Sequence, residues 1–300
     1  MDDKIIYSYI DEIANRLGDP GLYGAASVMV GAGFSKNASC IGAKNNTPPS
    51  WTELSERMYD ALYPLEINNE KHKWEECSGK NVLTLAQKYE VTFDRQALDK
   101  LIEINIADKD YIPSELHKNL LELNWNDVFT TNYDTLLERT TELIVARKNY
   151  KIVYSQDDLP GSVRPRIVKL HGTIQHSCHY IITEEDYRTY PYKYAPFVNT
   201  VQQSMLETRL CLIGFSGTDP NFLNWLGWLR DNMGDNCPTI YLCGLFDNLG
   251  IAERKMLERR NINILDLSIL LDGTETNRHY TALKKFIDLL RQKSKREKDI

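Results

Sequence analysis

Six short apolar runs, each separated from the next by turn residues and helical periodicity, constrain this chain more than any other feature. They are Ala25–Val30, Asp127–Thr131, Arg166–Leu170, Cys211–Gly214, Thr239–Leu242 and Ile262–Leu265. Runs of this length without polar alternation suit strands covered on both faces, and helical stretches between them supply the cover. The pattern predicts an α/β fold, a Rossmann-like doubly wound parallel sheet.

Apolar Ile5, Ile6, Tyr9, Ile10, Ile13 and Leu17, near helical spacing, predict a first helix up to Gly18. Ser50 and Glu53 have the spacing of a capping box for a helix starting at Trp51. Residues 65–80 read as polar and irregular, and 82–124 as helical with breaks near Lys109 and Pro113. Further helices are expected over Asp134–Ala146 and near 184–208, 220–232 and 249–259. The whole chain, 1–300, reads as one domain, with helical segments near 50–124 and 173–208 as an insert or lid. Its tail over 284–300 turns basic, which suits a solvated helix end, an acidic partner or a junction to a further domain.

Composition narrows the class. The chain is 42% hydrophobic and 26% charged, which excludes disordered and collagen-like chains. A formal net charge of -6 argues against coating nucleic-acid phosphates. No apolar run approaches the roughly 18 residues that span a bilayer, and the acidic start shows no signal peptide. Six cysteines without a C-x-x-C spacing suit reduced thiols. A cytoplasmic protein that binds neither membrane nor nucleic acid is expected.

Four motifs sit where predicted strands end. Gly31-Ala32-Gly33-Phe34-Ser35 follows the first strand. Its glycines let backbone amides approach a pyrophosphate, or make a tight strand-to-helix turn without a ligand. Lys36 stands where a dinucleotide dehydrogenase has its third glycine, and no acidic residue follows at the required distance. Asn132-Tyr133-Asp134 follows the second strand. Asn132 can orient a water or a carboxamide and Asp134 can bind ribose hydroxyls, or both are helix caps. His171-Gly172 ends the third strand, as a general base or as a structural histidine. Gly214-Phe215-Ser216 leads into Asp219-Pro220, which have the N-cap and first-turn chemistry of a helix.

The order of these motifs resembles the sirtuin superfamily, and their wording resembles its bacterial antiphage-defence branch. The resemblance covers about 25–245. It implies an NAD+ glycohydrolase that releases nicotinamide and ADP-ribose, or a cyclic isomer if an internal nucleophile replaces water. Gly31, Ala32, Gly33 and Ser35 would cradle the pyrophosphate, and Asp134 would hold the nicotinamide end. Gly214 and Ser216 would lie near the adenosine ribose. Asn132 would position the attacking water, and His171 would act as base or ribose-hydroxyl partner. Self-assembly, a fused sensor domain or an ATPase partner is also implied. Deacylase sirtuins follow the H-G with paired cysteines for zinc, whereas here Cys178 stands alone before Cys211. Residues His176-Ser177-Cys178-His179 are too close together to close a tetrahedral site alone, so no metal and no zinc module are expected. The alternatives are an NAD-dependent deacylase or ADP-ribosyltransferase, a nicotinamide oxidoreductase, and a non-catalytic sensor of ADP-ribose-like nucleotides.

Overall fold

The computed structural model describes residues 3–18, 25–41, 47–78, 81–144, 148–174, 176 and 179–296. Its strands, in chain order, are β1 (Ala26–Val30), β2 (Ser39–Cys40), β3 (Tyr111–Ile112), β4 (Asp127–Thr130), β5 (Lys151–Val153), β6 (Arg166–Lys169), β7 (Arg209–Ile213), β8 (Ile240–Gly244) and β9 (Ile262–Asp266). The short β2 and β3 pair with each other, antiparallel. The others form one sheet in the order β5-β6-β4-β1-β7-β8-β9, with every neighbouring pair parallel. This is the doubly wound α/β sheet that the apolar runs predict.

Every residue of β1 is buried, as expected for a central strand with helices on both faces. Val28 and Val30 face a core built with the helices Asp3–Gly18, Glu115–Leu121 and Arg278–Arg296. Met29 faces the opposite core, with Phe197, Val201, Phe222 and Trp225 from the helices Ala195–Glu207 and Pro220–Met233. The period-two alternation of side chains across a strand thus divides one apolar run between two layers.

A third cluster joins the helices Trp51–Leu62, Val82–Phe93 and Arg95–Ile106 to Tyr133, Tyr180 and Ile182. Those three residues follow β4 and β6, so this helical body packs on segments that leave the carboxyl ends of the sheet. The capping box at its start is present: Glu53 N–H donates to Ser50 Oγ at 3.3 Å, and Ser50 N–H donates to the Glu53 carboxylate.

The structure departs from expectation in several places. Residues 65–80 contain a helix, Glu70–Glu76, whose N-cap Asn69 accepts from His72 N–H at 3.2 Å. The helix expected over Asp134–Ala146 is confined to Leu136–Thr141. Asp134 lies outside it because its carboxylate accepts from Leu136 N–H and fixes a turn before the helix begins. Three-residue β5 is too short to carry a pattern, and it pairs at the sheet edge. The basic tail belongs to a helix, Arg278–Arg296, that buries Phe286, Ile287 and Leu290 in the core, while residues 297–300 lie outside the described part.

Candidate functional site

The four motif turns all leave carboxyl ends of the parallel sheet, around β1, where the strand order runs outward in both directions. Open α/β sheets place ligands in this crevice. The turn after β1 and the turn after β7 are interlocked through backbone. Gly33 N–H donates to Gly214 O at 2.9 Å, and Gly31 N–H donates to Ile213 O at 3.1 Å. A Cβ on Gly31 would sit 2.5 Å from Gly214 O. Gly214 has φ of 61°, and a Cβ there would sit 2.1 Å from Phe34 N. Close approach of one turn to the other thus suffices to require these glycines. The helix after Gly31 is one turn, Ala32–Ser35, so it contributes little macrodipole.

Beside this interlock, three polar side chains form a chain of hydrogen bonds. Asn132 Nδ2 donates to Ser35 Oγ at 2.9 Å, and Ser35 Oγ donates to Asp134 Oδ2 at 2.7 Å. Asn132 is fixed from behind, since Thr130 Oγ1 accepts its backbone N–H at 3.1 Å and donates to Val30 O at 2.9 Å. The motifs after β1 and β4 are joined in this way. Ala32, Ser35, Asn132 and Asp134 line one cavity, walled by Trp51, Leu54 and others from the helical body.

Beneath Asp134 lies a charge pair that the sequence reading missed. Lys169 Nζ donates to Asp134 O at 2.6 Å and pairs with Glu138 at 3.0 Å, their side chains 1% and 5% exposed. Burial pushes the Glu138 carboxyl up, and Lys169 opposes that shift. The signal for Lys169 was a charge inside the apolar run Arg166–Leu170.

His171 is placed apart from this cavity. It is fully buried, against the ring edges of Tyr187 and Tyr190. Its Nε2 lies 3.3 Å from Asn221 Nδ2, and its Nδ1 has no partner among the described residues. Burial holds the imidazole below its usual range, so it is neutral near pH 7. Tyr187 OH donates to Asp219 Oδ2 at 2.9 Å, and Asp219 caps its helix by accepting from Phe222 N–H. Asp219 thus has the N-cap role its sequence position predicts. Ser216 lies in an exposed turn with its hydroxyl 2.7 Å from that of Thr218. Among the described residues no group of three or more His, Cys, Asp or Glu is gathered to hold a metal ion, and Ser177 and Cys178 lie outside them.

Residues 126–265 match the family model described as SIR2-like domain. That segment contains three of the motifs and begins after Gly31–Ser35. The chain is 28% identical to "NAD(+) hydrolase ThsA" of Enterococcus faecium over 77% of its own length and 45% of that protein. It is 27% identical to the protein of the same name from Bacillus cereus (strain MSX-D12), over 65% of this chain and 38% of the relative. It is 22% identical to "Defense-associated sirtuin 2" of Bacillus subtilis, over 76% of this chain and 22% of the relative. The chain thus spans less than half the length of these relatives. With the ordered motifs at one edge of the parallel sheet, residues 126–265 of this chain are similar to a SIR2-like domain.

Proposed function

We propose that the chain hydrolyses NAD+ at the bond between nicotinamide and ribose. The observation that carries this reading is the Asn132–Ser35–Asp134 hydrogen-bonded chain, which lines a cavity at the carboxyl edge of the sheet. The names of the relatives, NAD(+) hydrolase among them, support it. In the reaction, the C1′–N bond breaks and its electron pair stays on the ring nitrogen of departing nicotinamide. Water oxygen bonds to C1′, and its proton passes to a base, leaving ADP-ribose. The ribose develops positive charge in the transition state, so positioning and oriented dipoles supply the rate.

Asp134 holds the nicotinamide end, and the carbonyl side of Asn132 orients the water. The turn of Gly31, Ala32, Gly33 and Ser35 carries the pyrophosphate, and Gly214 and Ser216 face the adenosine ribose. His171 is the base, in keeping with its neutral imidazole. For that role the wall of Tyr187, Tyr190 and Asn221 must shift, because His171 is enclosed behind it. The helices between Trp51 and Ile106 act as the lid. The enzyme works in an assembly of copies or with a sensor or ATPase partner, in the cytoplasm, and NAD+ depletion serves antiviral defence. A free hydrolase would drain its cell, which motivates the restraint.

Incubating the purified chain with NAD+ and separating the products tests the reading. Nicotinamide and ADP-ribose in equal amounts are expected, with the rate per chain rising with protein concentration. An NAD+ pool left intact at every protein concentration overturns it. Cleavage that proceeds only with an acylated peptide favours a deacylase instead.

A further inference from the structure

We propose that Asn105 reads an N–H donor on the ring held in the cavity, namely the primary carboxamide of the nicotinamide end. This rests on the reading above that places nicotinamide beside Asn132 and Asp134. Asn105 belongs to the helix Arg95–Ile106, remote in sequence from every motif, yet it lines the same cavity as those two residues. It is 5% exposed, and its Oδ1 is enclosed without a hydrogen-bond donor among the described residues.

The two carboxylates at the cavity are engaged. Asp108 accepts from Thr135 N–H at 2.8 Å and from Thr135 Oγ1 at 2.6 Å. Asp134 accepts from Ser35 and from Leu136 N–H. An enclosed acceptor without a donor lowers stability, and native structures hold few of them. A ligand N–H entering the cavity removes that deficit. The walls around Asn105 suit a flat ring: Leu54 and Ile106 are aliphatic, and the Trp51 and Tyr133 rings meet edge-on with centroids 6.0 Å apart. An enclosed acceptor discriminates strongly against a ring that lacks the donor, because its oxygen then stays unpaired.

The 6-amino group of adenine offers the same chemistry, so the test separates the two ends. Calorimetric binding to the 300-residue chain is measured for NAD+, for the analogue with a methyl ketone replacing the carboxamide, and for the analogue with hypoxanthine replacing adenine. The parent protein is expected to prefer NAD+ over the methyl ketone by about tenfold or more. Asn105→Leu should erase that preference, with a melting temperature equal to or above the parent's. Asn105→Asp, which keeps an acceptor, should retain it, and both proteins should bind the hypoxanthine analogue as they bind NAD+. Unchanged preference in Asn105→Leu overturns the inference, as does a preference lost only against the hypoxanthine analogue. A parent protein that binds NAD+ with the expected selectivity yet releases no nicotinamide upholds the role of Asn105 and removes the hydrolase reading alone. One that does not bind NAD+ removes both.

Discussion

Lys169 and Glu138, 31 residues apart in sequence, bury opposite charges 3.0 Å from each other under the turn that carries Asn132 and Asp134. The second carboxylate oxygen of Glu138 has no partner among the described residues, so Lys169 is its main compensation. Lys169→Met should therefore destabilise the fold by about 3–5 kcal/mol, the usual cost of stranding a buried charge. The double substitution Lys169→Met with Glu138→Leu should recover most of that loss. Urea midpoints at constant slope give both numbers, and a double variant no more stable than the single one contradicts the assignment.

The glycines of the motif turns differ in what they tolerate. At Gly214 a methyl group meets Phe34 backbone at 2.1 Å, whereas at Gly217, with φ of 70°, nothing lies within 4 Å. Gly217→Ala should cost about 1–2 kcal/mol, the left-handed strain alone. Gly214→Ala must also move backbone in the next turn, so it should cost more than about 3 kcal/mol or yield no folded protein. Equal melting temperatures for the two variants would falsify the interlock.

His117 supplies a pH signature of stability. Its ring packs against Phe34 and accepts from Ser114 N–H at 3.3 Å. Burial, with Arg139 adding to it, pushes the imidazole down to about 4 from its ordinary 6.5. Below 6.5 the unfolded chain binds the proton first, so stability is full above 6.5 and falls as the pH drops toward 4. His117→Leu removes the titration and should be less stable than the parent at pH 7. The difference between them should narrow as pH falls from 6.5 to 4, measured by denaturant titration. A constant difference rules out a neutral buried His117.

Asn132→Ala and His171→Asn should each lower nicotinamide release by about 100-fold or more. Asn132 sits at the cavity and its loss should barely move the melting temperature. His171 is enclosed by two tyrosines, and truncation to alanine would open a hole, so the amide variant separates chemistry from packing. Near-parental turnover per folded molecule in either variant removes that residue from the catalytic assignment.

Much of this architecture was legible because each central strand is covered on both faces and must be apolar throughout. Val28-Met29-Val30 and Leu210-Cys211-Leu212 announce themselves for that reason. Three-residue β5 and the ribbon of β2 and β3 lack the length to show a period. At the site, Ser35, Asn132 and Asp134 were legible from chain order. Their mutual hydrogen bonds were not, since contacts across 97 and 99 residues depend on the sheet register. His171 was legible as a residue at the carboxyl end of β6, but its enclosure was not, because Tyr187, Tyr190 and Asn221 come from helices that no local pattern ties to it. Asn105 carried no signal, being one polar residue on an amphipathic helix.

The backbone lock between Gly33 and Gly214 also sets which parts of the molecule can move separately. Two turns from adjacent strands, bonded through their peptides and too close to admit a single methyl, behave as one rigid floor. A ligand entering the cavity then cannot do so by parting that floor. It falls to the helical wall, which meets the sheet through side chains such as Tyr133, Tyr180 and Ile182 instead of strand pairing. Packed side chains can slide and re-form where peptide ladders cannot, so the doorway of this cavity is built on its softest joint, and the anvil on its hardest.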